Sequence, residues 1–162
     1  MITLIIQLLA TFMYSENYLA VKSPAFENQG MIPSQYTCEG DNINPEIDIK
    51  NMPANAKTLA LIMEDPDAPK GTFDHWIMWN IPVDGIIKEN SAPGVQGKNG
   101  AGENKYTGPC PPTGKHRYLF KIYALDQELS LKEGSSKKML QDAMKGHILS
   151  SGELIGFYQK TK

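Results

Sequence analysis

Net charge, cysteine and internal repetition are all scarce in this 162-residue sequence. Its 16 basic and 18 acidic residues give a formal charge of −2, which argues against a protein whose main role is to coat nucleic acid or an anionic membrane. We find no internal repeat and no low-complexity tract. The length suits a single domain that is large enough to bury a real core.

Aromatic residues are also few, at 9% of the chain, whereas 14 glycines and 11 prolines supply frequent turns. This balance predicts short strands joined by turns rather than long helices. Residues 58–63 are apolar throughout and predict a strand in the middle of a sheet, covered on both faces. Residues 76–81, 118–125 and 152–159 predict three further strands.

One helix is expected, with either Ser135 or Ser136 as its cap and Gly146 closing it. We interpret its methionines as core residues, since they fall on an apolar stripe of helical spacing. The stripe consists of Met139, Leu140, Ala143, Met144 and Ile148. Residues 90–106 are rich in Gly and Asn, with Lys and Ser between them, which predicts a long surface loop.

The longest apolar run is at the start of the chain, where residues 2–14 precede Ser15, Glu16 and Asn17. About thirteen residues are too few to span a bilayer but suit the apolar part of a secretory leader. No Lys or Arg precedes the run and no clear cleavage site follows, so a packed first strand or helix and a misassigned start codon stay open. We expect residues 1–18 to be a leader or extension and 19–162 the folded domain, with export favoured over a cytoplasmic location.

Polar residues suited to ligand binding occur where predicted strands begin or end. Asp65 and Asp67 follow one strand in an Asp-Pro-Asp turn, His75 opens the next, and His116 follows the Pro- and Gly-rich run 108–115. The prolines stiffen this run, which lowers the ordering cost of binding. Each feature alone is explained by turn capping or core packing, but together they predict a pocket at the end of a sheet. Histidines there can donate to an anion, bind a metal or move a proton.

Three motifs give the chain a family resemblance: DPDAP at residues 65–69, DHW at 74–76 and GPCPPTGKHRY at 108–118. In order and spacing they resemble the phosphatidylethanolamine-binding protein family, and most closely its bacterial and archaeal Raf kinase inhibitor-like branch. The resemblance runs from about residue 19 to 159. It implies a mainly β fold, in which a central antiparallel sheet packs on a smaller sheet with one or two short helices. It also implies a small pocket that accepts phosphate, phosphoethanolamine or acetate.

The resemblance assigns ligand binding to Asp65, Asp67, His75, Cys110, Pro111, His116 and Tyr118. It implies no catalytic residue, cofactor or metal ion. The two histidines and the Tyr118 hydroxyl would donate to phosphate oxygens, and Asp65 would orient a histidine or receive an ammonium group of the ligand. The affinity for an anion should then fall as the pH rises through the histidine titration.

Two departures from the eukaryotic members bear on function. Cys110 replaces a second loop glycine, so a narrower pocket is expected, which suits a bulky lipid headgroup less well. The long C-terminal helix of kinase-regulating members has no counterpart, so kinase inhibition does not transfer with the resemblance. Cys38 lies in a loop that resembles a family segment near the pocket. The two cysteines are therefore either a disulfide, which export would favour, or two unrelated thiols.

We expect a non-enzymatic binding protein, with a regulated kinase or protease as a protein partner whose phosphorylated or acidic group would enter the pocket. Two other classes stay open. A metalloprotein would use His75, His116 and Asp65 as ligands. A hydrolase would rely on Cys110 beside His116, because the sequence has no G-x-S-x-G turn.

Overall fold

The computed structural model describes residues 18–161. In chain order its elements are β1 (Ala20–Lys22), β2 (Gly30–Met31), β3 (Ile47–Lys50), β4 (Thr58–Asp65), β5 (Phe73–Ile81), β6 (Ile86–Ile87), β7 (Val95–Gln96), β8 (His116–Leu125), α1 (Lys137–Met144) and β9 (Ile148–Tyr158). A short 3-10 turn, Ser34–Tyr36, precedes β3. No helix in this described part is both long and apolar enough to cross a bilayer. The expected leader lies outside it, apart from Tyr18.

The strands form two sheets, which confirms the predicted architecture. The larger sheet has six strands in the order β2-β9-β8-β4-β5-β7, and the smaller has three in the order β1-β3-β6. All neighbours are antiparallel except β2 and β9, which run parallel. Apolar side chains from both sheets meet between them in one buried cluster, so the smaller sheet covers one face of the larger.

Strand β4 lies inside the larger sheet and is buried on both faces, as its continuous apolar sequence predicted. Leu59, Leu61 and Met63 point into the cluster between the two sheets. Ala60 and Ile62 point to the opposite face, where they pack in a second cluster under α1. The alternation follows from the two-residue period of a strand.

The predicted helix is present but shorter than its apolar stripe. The Ser136 side chain accepts the Met139 amide and caps α1, whereas Gly146 adopts a φ of 80° and turns the chain after Met144. Leu140 and Met144 are buried in the second cluster. Two members of the stripe were predicted wrongly. Met139 is 51% exposed, and Ile148 belongs to β9 because the helix has already ended.

The prediction of a long surface loop over residues 90–106 is only partly correct. The segment contains the edge strand β7, which pairs with β5, and a nearly buried Asn99. The Asn99 side chain accepts the amides of Ala101 and Glu103 and donates to Lys105 and Thr107, so it folds the loop around itself. One asparagine side chain thus supplies the hydrogen bonds that order this loop. A single residue produces no periodic pattern in the sequence, so the order of the loop was not predicted.

A disulfide joins Cys38 to Cys110, with 5.4 Å between their Cα atoms, so the first of the two alternatives is the one in the structure. The backbones alongside are also paired. The Cys38 amide donates to the Pro109 carbonyl at 3.1 Å, and the Tyr106 hydroxyl donates to the Tyr36 carbonyl at 2.7 Å. The Pro-rich run is therefore attached to the segment before β3 as well as to β8.

Gly152 in β9 tests the close approach of the first described residues to the larger sheet. A Cβ atom at this position would lie 2.2 Å from the Leu19 carbonyl oxygen, which belongs to the backbone and cannot rotate away. We expect Gly152→Ala to lower the free energy of unfolding by about 1–3 kcal/mol, measured by urea denaturation. The exposed neighbour Ser151 provides the control, since Ser151→Ala should change it by less than about 0.5 kcal/mol. Equal effects of the two variants would contradict this packing.

The disulfide closes a segment whose ends are 72 residues apart in sequence. On the chain-entropy model, a loop of this length contributes about 4 kcal/mol by restricting the unfolded chain. Reductant should therefore lower the free energy of unfolding by about this amount, measured by urea denaturation with the reduced state verified by thiol alkylation. A Cys38→Ser/Cys110→Ser variant should already have the lower stability and should not respond to reductant. Unchanged stability of the fully reduced wild type would refute the prediction.

Candidate functional site

The antiparallel order of the larger sheet brings the polar strand ends together. Strand β4 ends at Asp65, and both β5 and β8 begin beside it, because they run in the opposite direction. His75 lies near the start of β5, and His116 is the first residue of β8. The Pro-rich run enters β8 at this same end of the sheet. The predicted pocket position thus follows from strand order.

A cavity of about 200 Å³ lies at this end of the sheet. This volume is below the range typical of sites for drug-sized ligands, and it suits a small ion or headgroup. The walls contain one carboxylate, one imidazole and no lysine or arginine. The wall residues are Asp65, Ala68, Pro69, Phe73, His75, Thr107, Gly108, Cys110, Pro111 and Pro112.

His75 is 5% exposed and is held in one orientation. Its Nδ1 donates to the Thr107 carbonyl oxygen at 2.6 Å, and the rings of Phe73 and Tyr118 contact it edge-on at centroid distances of 4.8 and 5.2 Å. A carbonyl only accepts, so the hydrogen of the neutral ring is on Nδ1 and Nε2 carries a lone pair. Burial lowers the pKa of His75 below its usual 6.5, against the opposing effect of the Thr107 hydrogen bond.

The tautomer of His75 modifies the expected chemistry. From the sequence, both histidines were expected to donate N–H groups to an anion. With Nδ1 committed to Thr107, His75 has a second donor at Nε2 only when the ring is protonated. At neutral pH the lowered pKa leaves this nitrogen as a hydrogen-bond acceptor.

Asp65 is 3% exposed and serves two partners at once. Its Oδ1 accepts the Asp67 amide at 2.8 Å and caps the turn, while its Oδ2 accepts from His116 Nδ1 at 2.8 Å. The turn-cap and histidine-orienting roles therefore coexist in one side chain. The histidine that Asp65 orients is His116, whose ring is 51 residues away in sequence.

Asp67 lies on the same turn but is not a wall residue of the cavity. Its carboxylate accepts the Arg117 backbone amide at 2.9 Å and two guanidinium hydrogen bonds, from Nε at 2.9 Å and from the terminal nitrogen at 2.7 Å. These bonds to Arg117 lower the pKa of Asp67 to about 2. The turn thus separates one carboxylate that faces the cavity from one that holds an arginine outside it.

His116 and Tyr118 lie beside the cavity wall rather than in it. His116 is 7% exposed and contacts Asp65, and Tyr118 is wholly buried against His75. The Tyr118 hydroxyl makes no hydrogen bond within the described residues, although the backbone of Cys110 is close, and burial raises its pKa. An unsatisfied buried hydroxyl costs about 1–3 kcal/mol, which a ligand or water could recover.

Several residues that shape the site were not identified from the sequence, and four of them contact its predicted members or the Pro-rich run. Phe73 shares a strand face with His75, and its two-residue spacing was a usable signal. Arg117 stands inside the quoted motif next to His116. Thr107 and Asn42 gave no signal, because they act across the fold: the Thr107 carbonyl orients His75, and Asn42 Oδ1 accepts the Gly108 amide at 2.7 Å.

The structure also bears on the two other classes. Within residues 18–161, no three His, Cys, Asp or Glu side chains are grouped as ligands for a metal ion. The Cys110 sulfur is bonded to Cys38, so this form of the protein offers no thiol beside His116. Neither observation supports the metal-binding or the hydrolase alternative.

Comparison with known proteins places this chain in one family. The signature of the phosphatidylethanolamine-binding protein family matches residues 22–159. A UPF0098 protein of Methanothermobacter thermautotrophicus is 46% identical over 148 residues, which cover 86% of this chain and 98% of the relative. A UPF0098 protein of Pyrococcus horikoshii is 48% identical over 149 residues, covering 85% of this chain and 75% of the relative.

Solved structures agree with the sequence comparison. The crystal structure of a putative phosphatidylethanolamine-binding protein homolog from Chlamydia trachomatis has a TM-score of 0.86 and 44% identity, covering 89% of this chain and 99% of the other. E. coli YbcL, described as a member of the mammalian family, has a TM-score of 0.81 and 25% identity, covering 88% and 99% of the two chains. The chain therefore belongs to the phosphatidylethanolamine-binding protein family.

Proposed function

We propose that this chain is a non-enzymatic protein that binds a small oxyanion of the phosphate or phosphoethanolamine type in the cavity at the end of the larger sheet. The observation that carries the proposal is that two buried polar side chains, Asp65 and His75, line the same cavity of about 200 Å³, next to an unsatisfied Tyr118 hydroxyl. Polar groups converging in a small, mostly apolar cavity are the usual form of a ligand site.

Donors for an oxyanion come from neutral groups and from one titratable group. Thr107 and Tyr118 each have a hydroxyl hydrogen that no described residue accepts. Protonated His75 adds an Nε2–H donor and a positive charge. Because the prolines of the wall have no N–H, side-chain donors matter more here than in a glycine-rich phosphate loop.

Three contacts with distant parts of the chain hold the walls of the cavity in place, which supports a role in binding rather than mere connection of strands. The disulfide fixes Cys110, and the Asn42 side chain fixes Gly108. The Thr107 carbonyl fixes the His75 ring on the opposite wall. A site held in this way loses little conformational freedom when a ligand binds.

A protein partner is the second part of the proposal. The same cavity that receives free phosphoethanolamine would receive a phosphorylated or acidic side chain of a partner, for which a kinase or a protease is our candidate class. Family membership supports the pocket as the contact point, since the family is named for binding a phosphate-containing headgroup. Occupation of the pocket by the small ligand should then compete with the partner.

The direct test is a crystal structure grown with saturating phosphate or phosphoethanolamine. We expect ligand density between Asp65 and His75, within hydrogen-bonding distance of the Tyr118 or Thr107 hydroxyl. An empty cavity at saturating ligand would remove the central claim of the proposal. Competition between phosphoethanolamine and an isolated partner would test its second part.

The pH dependence of binding tests the role of His75. Sulfate has a constant charge between about pH 4.5 and 8, so any change in its affinity reports on the protein. The folded pKa of His75 lies below 6.5, and the protonated ring is the form that attracts an anion. Sulfate affinity, measured by calorimetry, should therefore rise as the pH falls through that pKa and decline above it.

Two histidine variants separate this effect from general charge. His75→Gln should abolish most of the pH dependence, because an amide does not titrate in this range. His147, which is paired with Asp126 at 2.9 Å away from the cavity, provides the control, and His147→Gln should keep the wild-type profile. A flat profile in the wild type would count against anion binding at His75.

A further inference from the structure

We infer that the cavity selects oxyanions that carry their own proton, namely hydrogen phosphate and phosphate monoesters, over sulfate and phosphate diesters. Asp65 and the Nε2 atom of His75 are the groups that make this selection. The inference rests on the proposed anion binding and names the ligand class of that site. It follows from the hydrogen-bond donors and acceptors of the cavity that have no partner within the described part of the fold.

The carboxylate of Asp65 gives the cavity a negative wall, and the ring of His116, which is paired with this carboxylate at 2.8 Å, lies beside the wall rather than in it. Both Asp65 oxygens already accept a hydrogen bond, from Asp67 and from His116, as an ionised carboxylate does, yet each oxygen has a second lone pair. No lysine or arginine is among the wall residues. An oxyanion without a proton would therefore meet like charge at short range, where repulsion is strong. A ligand hydroxyl would instead donate to this carboxylate.

The second acceptor is His75 Nε2, because Nδ1 is committed to Thr107. The charged groups near this ring are Asp65 and Asp74, both negative, and Asp74 is paired with Lys137. The other neighbours are the Thr107 and Gly108 backbones and two aromatic rings. None of these neighbours supplies a positive charge to the cavity. At neutral pH the imidazole is thus available to accept a ligand proton rather than to give one.

The remaining polar groups match the unprotonated oxygens of the same ligand. The Thr107 hydroxyl accepts from Asn99 and keeps its own hydrogen to donate, and the Tyr118 hydroxyl has no partner among the described residues. The Gly108 amide, in contrast, is used by Asn42. The site therefore combines acceptors with a few neutral donors. A singly protonated phosphate has an O–H donor for these acceptors and free oxygens for these donors, whereas sulfate and a phosphodiester have acceptors only.

This selection distinguishes the possible sources of a phosphate group. Phosphoethanolamine and a phosphorylated side chain are monoesters, whose second ionisation occurs near pH 6, so a proton is available at modest cost around neutrality. An intact phospholipid headgroup is a diester and has no such proton. The geometry therefore favours a free or protein-borne monoester over a membrane lipid.

The test compares four ligands with the full-length protein at pH 7 by isothermal titration calorimetry: phosphate, phosphoethanolamine, sulfate and dimethyl phosphate. The first two should bind, and the last two should bind about tenfold or more weakly, because one hydrogen bond to a charged acceptor is replaced by repulsion. Measurements of phosphate in buffers with different ionisation enthalpies should also show proton retention in the complex.

Variants assign the selection to Asp65. Asp65→Asn removes the negative charge and offers an NH₂ donor, so the phosphate-to-sulfate affinity ratio should fall by about tenfold. Asp126→Asn removes a comparable Asp–His pair elsewhere and should leave the ratio unchanged. Should Asp65→Asn fail to fold, the phosphate-to-sulfate ratio of the wild type measured at decreasing pH replaces it, since protonation of His75 gives sulfate a donor and should narrow the ratio.

The outcomes separate the two proposals. Sulfate and dimethyl phosphate binding as tightly as phosphate at pH 7 would overturn the selection and leave the anion site intact. Binding of none of the four ligands would overturn the anion site itself. A ratio that Asp65→Asn leaves unchanged in a folded protein would show that Asp65 is not the selecting group.

Discussion

The carboxylate of Asp65 is the constraint on which the rest of the site depends. It ends the most buried strand of the larger sheet, closes the following turn through Oδ1 and holds His116 at the start of β8 through Oδ2. A buried carboxylate is tolerated only when its oxygens are well supplied with donors, and these two bonds meet that need. The same bonds fix the relative positions of the turn and β8. Ligand chemistry and strand alignment therefore share one side chain.

The wall opposite Asp65 depends on contacts from a distant part of the chain. Cys38 and Asn42 both reach the Pro-rich run, one by the disulfide and the other by the Gly108 amide. Gly108 is required there, since a Cβ atom would lie 2.4 Å from the Tyr36 carbonyl oxygen. Loss of these contacts would leave the Pro-rich run held mainly at its two ends, by β8 and by the hydrogen bonds between Thr107 and His75. Rigidity of the cavity is thus a property of the fold and not of proline content alone.

The sequence predicted those features that have a local cause. Strand β4 follows from an unbroken apolar run, and the grouping of Asp65, His75 and His116 follows from strand ends that meet in an antiparallel sheet. The tautomer of His75 could not be predicted, because it is set by a carbonyl 32 residues away. Strand β7 was missed for a related reason: two residues have no detectable period, and their pairing with β5 is a tertiary contact.

The fold keeps the positive charge of Arg117 out of the cavity, because the guanidinium is bound to Asp67 outside it. Arg117 is the only arginine in the chain, and a guanidinium is the side chain best suited to bind an unprotonated phosphate. Here its Nε and terminal nitrogen are occupied by Asp67, outside the cavity. Asp67 would thus influence the proposed binding without lining the pocket, because it holds the guanidinium of Arg117 outside the cavity. If the proposed anion site is occupied in this form, the ligand would therefore have to supply the proton that an arginine would have made unnecessary.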